Sequence, residues 1–241
     1  MNRFTPGNAV ELLRSGAEYF PALIGAIAAA TREVWLETYI FADDRAGDAV
    51  AAALTAAAAR GVTVRVLVDG WGARHYLTAP LRRRLEQGGV QLLIYRPEVA
   101  PWHFRSHRLR RLHRKIAHVD GTVAFVGGVN VIDDMHTPGH KPPRVDFAVR
   151  VQGPVVASVV QTMARVWALC ELVQFSRSDV PLFPDTRQVQ RVGTQTVKFA
   201  IRDNLRHRRD IESAYLAGIP TARREIVIAC AYFFCGIRFR R

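Results

Sequence analysis

Residues 112–130 read LHRKIAHVDGTVAFVGGVN, and this stretch decides the fold. Two runs rich in apolar and β-branched residues flank the Asp120-Gly121 pair. That pattern predicts a β-hairpin over 112–128. On an extended segment, side chains i and i+2 share a face, so His113 and Lys115 point the same way. A core strand has no use for such a pair, whereas an anion-handling site does. Lys115 offers a compact positive charge for a phosphate. His113 offers a ring nitrogen that can be nucleophile or general base near neutral pH. Gly127 and Gly128 end the second run and would let backbone approach a ligand, and Asn130 adds an amide donor. Asp120 falls on the other face by parity. No metal or cofactor is called for, because a lysine and amide donors can stabilise phosphoryl oxygens. Taken singly, His113 reads as a surface histidine and Lys115 as a solvated charge.

Outward from the hairpin, strand and helix patterns alternate at short spacing. A helix is expected over 18–31, then a strand over REVWLETYIF (32–41). GDAVAAALTAAAARG (47–61) predicts a helix closed by its glycine. VTVRVLVDG (62–70) predicts a strand covered on both faces. A helix over 81–87 and a strand over 90–95 follow, and a basic loop, PWHFRSHRLRR, spans 101–111. Beyond the hairpin come a half-buried strand (145–154) and a helix (155–172). Residues 174–195 read as a polar linker, 196–204 as a strand, 211–222 as a helix and 225–234 as a strand. The order predicts an α/β sandwich with a mixed sheet. REVWLETYIF and REIVIACAYFF (224–234) also read as two copies of one strand entrance, an internal repeat.

The formal net charge is +13 and 49% of residues are hydrophobic, which excludes a disordered basic tail and favours anionic partners. Nucleic acid, lipid headgroups and phosphorylated small molecules all fit that charge. The three cysteines, Cys170, Cys230 and Cys235, form neither a disulfide framework nor a zinc pattern. The N-terminus lacks an apolar signal core, and the apolar stretch Tyr19–Ala30 is short for a bilayer. Membrane contact is therefore expected to be peripheral. Trp71 reads as a packing residue.

His113, Lys115, Asp120, Gly127, Gly128 and Asn130 spell H-x-K-x4-D-x6-G-G-x-N across a strand, turn and strand. This resembles the HKD signature of the phospholipase D superfamily. Together with residues 7–41, 145–154 and 223–234 it looks like the short form of bacterial cardiolipin synthase. The resemblance implies a phospholipase D-like α-β-α sandwich in which two HKD halves share one site. It implies a phosphatidyltransferase that acts on phosphatidylglycerol through a phosphohistidine. His113 would be the nucleophile or its acid/base partner, Lys115, Gly128 and Asn130 would hold phosphate, and Asp120 would complete the catalytic motif by holding the turn. Asp146 would orient the histidine, and Glu37 would touch the site in the family arrangement; His118, at a position usually apolar in the family, faces away from His113 by strand parity and reads as structural.

On this reading the first domain spans 1–173, the linker 174–195, and an incomplete second half 196–241. The distance from Glu33 to His113, repeated from Glu225, would place a second histidine at about residue 305, past Arg241. The chain is thus expected to be truncated and impaired or inactive as a monomer. The expected setting is the cytoplasmic side of a bacterial inner membrane, without a spanning segment. The alternatives are a homodimeric phosphodiesterase or nuclease with one HKD per chain, nucleic acid ranking below lipid as partner, and a non-catalytic truncated remnant.

Overall fold

The computed structural model describes residues 4–96, 111–136, 139, 141–173, 190–201 and 209–228. The chain divides into two compact units, Thr5–Val197 and Met1–Phe4 with Lys198–Arg241.

The larger unit is built on one mixed sheet. Its strands are β1 (Thr5–Arg14), β2 (Glu33–Thr38), β3 (Thr63–Asp69), β4 (Gln91–Tyr95), β5 (Ile116–Val119), β6 (Val123–Gly127), β7 (Phe147–Gln152) and β8 (Gln195–Val197). Their spatial order is β4-β3-β2-β5-β6-β7-β1-β8. β2, β3 and β4 run parallel, and every pairing from β2–β5 outward is antiparallel. The helices are α1 (Ser15–Ala28), α2 (Arg45–Ala59), α3 (Ala79–Gln87) and α4 (Val156–Val173), with α5 (Asp210–Gly218) in the smaller unit.

Alternation on β2 sorts the two faces. Val34 and Leu36 join a core with Val64, Val66 and Val68 of β3, Ala117 and Val119 of β5, and Leu23, Val50, Leu54 and Leu85 from α1, α2 and α3. Trp35 faces the other way and meets Trp167 of α4 edge-on, with ring centroids 5.6 Å apart. Helices therefore cover both faces, as an α-β-α sandwich requires. The β-branched runs of β2 and β3 suit strands buried on both sides. Asp44 caps α2 by accepting from Gly47 N–H, and Gly61 takes the left-handed conformation (φ 87°) just past its end. By length and composition α4 could cross a bilayer, but its buried side, including Met163 and Trp167, packs on the sheet.

The Asp120-Gly121 turn has positive φ at both central residues, 52° and 65°. That is the geometry that lets two antiparallel strands keep their natural twist. The hairpin is shorter than expected, because regular pairing on its first arm begins only at Ile116. β1 was not anticipated. Pro6, Gly7 and Glu11 disguise it, and its pairing with β7 rather than its composition makes it a strand. The strand expected over 196–204 is reduced to the end of β8, with 202–204 outside the described residues. Residues 225–228 are not a strand, and the rest of the expected 225–234 strand lies outside the described residues. So do most of the repeat's second copy, Cys230, Cys235, residues 174–189 of the linker, and the basic loop up to Arg110.

His118 lies on the α4 face, fully buried and stacked on Trp35 at 5.6 Å, with no partner for either ring nitrogen among the described residues. Burial pulls its pKa down to about 3. In the unfolded chain the ring protonates near pH 6.5. Between those values the unfolded state binds the extra proton, so stability is full above about 6.5 and is lost as pH falls towards 3. His118→Phe should flatten this acid loss in denaturant midpoints taken at pH 7 and 4.5. An unchanged difference between the two midpoints would refute this role for His118.

Candidate functional site

The site lies where β2 and β3 end and the chain enters β5. Tyr39, just past β2, is its centre. The His113 ring packs on the Tyr39 ring with centroids 4.7 Å apart, and Lys115 Nζ stands 5.1 Å from the same ring. The expected shared face of His113 and Lys115 is therefore present, although both precede the regular strand. Between them Arg114 turns to the opposite face and meets Glu37 at 3.5 Å. Glu37 thus serves the α4 side of the sheet. Burial pushes its carboxyl up to about 7 against the pull of Arg114.

Lys115 is 6% exposed, and its ammonium has no hydrogen-bond partner among the described residues. Burial pulls its pKa down to about 8, with Asp146 opposing that shift and Arg144 adding to it. His113 stays open to solvent on one side. Partial desolvation, and then the Lys115 charge, lower its pKa below the ordinary imidazole value, while Asp69 acts the other way. The neutral ring, with a free lone pair, is thus favoured at neutral pH.

Asn130 sits beside these groups because residues 40–42 run alongside 130–132. Ala42 N–H donates to Val131 O, and Val131 N–H to Ile40 O. Asn130 Oδ1 accepts from Ile40 N–H at 3.2 Å, which leaves the amide NH2 as the available donor.

Gly127 and Gly128 play a different part from the one expected. Their N–H groups donate to Lys115 O and Phe147 O, at 3.1 and 2.8 Å, so neither amide is free for a phosphate. A Cβ at Gly127 would collide with the Ala148 backbone, and one at Gly128 with the Asp146 carboxylate. The glycines let β7 and Asp146 come close, and Gly128 leaves the phosphate-binding set on that ground.

Asp120 is at the far end of β5 from His113. Its carboxylate accepts from the N–H groups of Thr31, Arg32 and Glu33 and from the Thr31 hydroxyl. These bonds hold its pKa below the usual value. The motif aspartate thereby ties the hairpin turn to the entrance of β2. Asp146 lies beside Lys115, and no hydrogen bond joins it to His113 among the described residues.

Three residues of the site escaped the sequence reading. Asp69 is fully buried and accepts from Trp71 N–H, Gly72 N–H and Leu112 N–H, at 2.9, 2.9 and 2.7 Å. One carboxylate thus fixes the loop after β3 and the residue before His113. Its position at a strand end followed by Gly70 was the only signal. Arg144 is buried and pairs with Asp134 at 3.1 Å, which brings a second cation near Lys115. Tyr39 carried no signal beyond being one of several aromatics that end β2. Trp71, expected to pack, is 39% exposed.

Residues 23–141 match the family model described as cardiolipin synthase, PLD-like domain. The chain is 37% identical over 243 residues to cardiolipin synthase B of Escherichia coli (strain K12), covering 97% of this chain and 55% of that protein. It is 38% identical over 162 residues to cardiolipin synthase A of Pseudomonas putida, covering 66% of this chain and 33% of that protein. The chain thus spans about half the length, or less, of these curated relatives. Among solved structures, Nuc from Salmonella typhimurium, a phospholipase D family member, aligns with a TM-score of 0.51 at 19% identity. That alignment covers 66% of this chain and 94% of Nuc.

Proposed function

The chain belongs to the phospholipase D superfamily and carries a phospholipase D-like domain, and from that premise we propose that it is part of a phosphatidyltransferase making cardiolipin from phosphatidylglycerol. The observation that carries this reading is the buried Lys115 ammonium, without a hydrogen-bond partner among the described residues, beside the solvent-open ring of His113. A buried charge without a partner is costly unless an anion compensates it. A phosphodiester supplies that anion and puts its phosphorus within reach of the imidazole.

In the proposed reaction a ring nitrogen of His113 attacks the phosphorus of one phosphatidylglycerol. The N–P bond forms, the P–O bond to the headgroup glycerol breaks, and glycerol leaves with a proton. The terminal hydroxyl of a second phosphatidylglycerol then attacks the phosphohistidine. An O–P bond forms, the N–P bond breaks, and the hydroxyl proton passes to a base. Two phosphatidylglycerols give one cardiolipin and one glycerol. Lys115, Arg144 and the Asn130 amide face the phosphoryl oxygens as charge builds on them. Asp146 only partly offsets the charge of Lys115, with which it forms no ion pair among the described residues. The proton carrier is assigned to the matching histidine of a second phospholipase D-like unit, in a longer form of the chain or in a second copy. The net charge of +13 favours work at an anionic membrane surface.

The test is incubation with phosphatidylglycerol vesicles and detection of cardiolipin. Turnover of bis-p-nitrophenyl phosphate with no lipid product would move the reading to a plain phosphodiesterase. The kcat/KM profile should be bell-shaped. Its acid limb lies below the ordinary imidazole range, because burial and the Lys115 charge make His113 harder to protonate. Its alkaline limb falls near pH 8, where Lys115 loses its charge. A rate still rising at pH 9 would remove Lys115 from its assigned role.

A further inference from the structure

Next to the site, the loop after β3 presents Trp71 to solvent, 39% exposed. Two guanidiniums flank its ring. Arg74 Cζ lies 3.7 Å from the ring centroid and Arg111 Cζ 5.2 Å. Each cation gains from the indole face, but neither is neutralised. Among the described residues, no carboxylate comes within 4 Å of either. Among the described residues, the only side-chain hydrogen bond of Arg74 joins its Nε to His75 Nε2, and Arg111 Nη1 is buried without a partner. The neighbouring acid, Asp69, is already bonded by both oxygens to the N–H groups of Trp71, Gly72 and Leu112. Stacking uses only the flat face of a guanidinium and leaves its N–H donors pointing outward in a plane, the geometry that meets two oxygens of a phosphate.

The cluster is rigidly joined to the catalytic side chains. Asp69 bolts Trp71 and Leu112 to one carboxylate, and Leu112 is flanked by Arg111 and His113. Gly72 is packed so closely on Tyr39 that a Cβ there would collide with it. Two like charges held on one ring repel each other, and an anion between them removes that cost.

We propose that Trp71, Arg74 and Arg111 form a second anion subsite, distinct from the Lys115 site, which takes the phosphodiester of a second phospholipid headgroup. This rests on the phosphatidyl-transfer reading, in which a second phosphatidylglycerol must be held beside the phosphohistidine. The indole would sit at the lipid interface while the two arginines grip the phosphate.

The test measures binding and so does not depend on turnover. In a His113→Ala background, co-sedimentation with phosphatidylglycerol/phosphatidylcholine vesicles is compared for three proteins: no further change, Arg74→Gln/Arg111→Gln, and Arg82→Gln/Arg83→Gln on α3. The first double variant should bind about 30-fold more weakly, at ~1 kcal/mol per basic residue near the surface. The second removes equal charge elsewhere and should change binding by less than about threefold. Equal losses in both, or no loss in the first, would overturn the subsite. Trp71→Ala should also weaken binding, and melting temperatures check that each variant is folded. Competition separates the sources of phosphate. Glycerophosphoglycerol acting at far lower concentration than inorganic phosphate assigns the lipid headgroup. Equal potency assigns free phosphate, and no competition by either overturns a phosphodiester subsite. If the vesicle result holds while no cardiolipin is ever made, the binding site stands and the transferase reading falls.

Discussion

His113→Ala is expected to lower phosphatidyl transfer by about 10³-fold or more, because it removes the only group assigned to form the bond to phosphorus. The side chain is exposed on one side and makes no hydrogen bond to another described residue. Its loss should therefore shift stability by only about 0.5 kcal/mol. Quenching in detergent at mildly alkaline pH, after incubation with phosphate-labelled phosphatidylglycerol, gives an independent reading, because an N–P bond survives there. Wild-type protein retains label on the denatured chain, lost in acid, and the variant retains none. Label of equal amount on the variant would assign the nucleophile to another residue. Lys115→Met provides the contrast. It removes a buried charge that has no partner, so it should leave stability unchanged or raised while lowering the rate.

The second large effect is at Asp69, which touches no substrate and acts by position. Asp69→Ala leaves the N–H groups of Trp71, Gly72 and Leu112 without their acceptor. An orphaned buried donor costs about 1–3 kcal/mol, so a loss of about 3 kcal/mol or more is expected in denaturant unfolding. Because Leu112 precedes His113, the ring should also leave its place on Tyr39, and misplacement on the order of 1 Å can cost about 10²-fold in rate. Asp69→Asn separates position from charge. Its remaining oxygen can still hold Trp71 and Gly72, but its NH2 would face the Leu112 donor. It should keep more stability than alanine and restore only part of the rate. A variant with normal KM and a uniformly reduced kcat supports displacement of His113. Full activity in Asp69→Ala would end the positioning role.

Local features of the sequence were legible where one local rule governs them. The Asp120-Gly121 turn needs only two residues that tolerate positive φ, and it forms as read. The strand and helix patterns from residue 15 to 95 follow from period and caps, and each element formed within a few residues of its expected place. β1 was not legible, because a strand with Pro6, Gly7 and exposed polar residues is made by its partner. The glycines were legible as close-approach positions, but what approaches them was not. Asp146 and Ala148 fill the space that a ligand was expected to use.

From its residues alone the chain determines an α/β sandwich and a His113–Lys115 pair sharing one face. The i, i+2 period of an extended backbone requires that sharing and depends on no distant contact. Only the tertiary structure decided what surrounds the pair. Tyr39, Asp69 and Arg144 come from elements separated by tens of residues, and a buried ammonium shows its missing partner only when every neighbour is in place. The same holds for Trp71, to whose ring the pairing of β2 with β3 and β5 brings Arg111, while Arg74 reaches it within one loop. Burial and the field of distant charges, which no local pattern carries, lower the pKa values of His113 and Lys115 towards the range in which both can act.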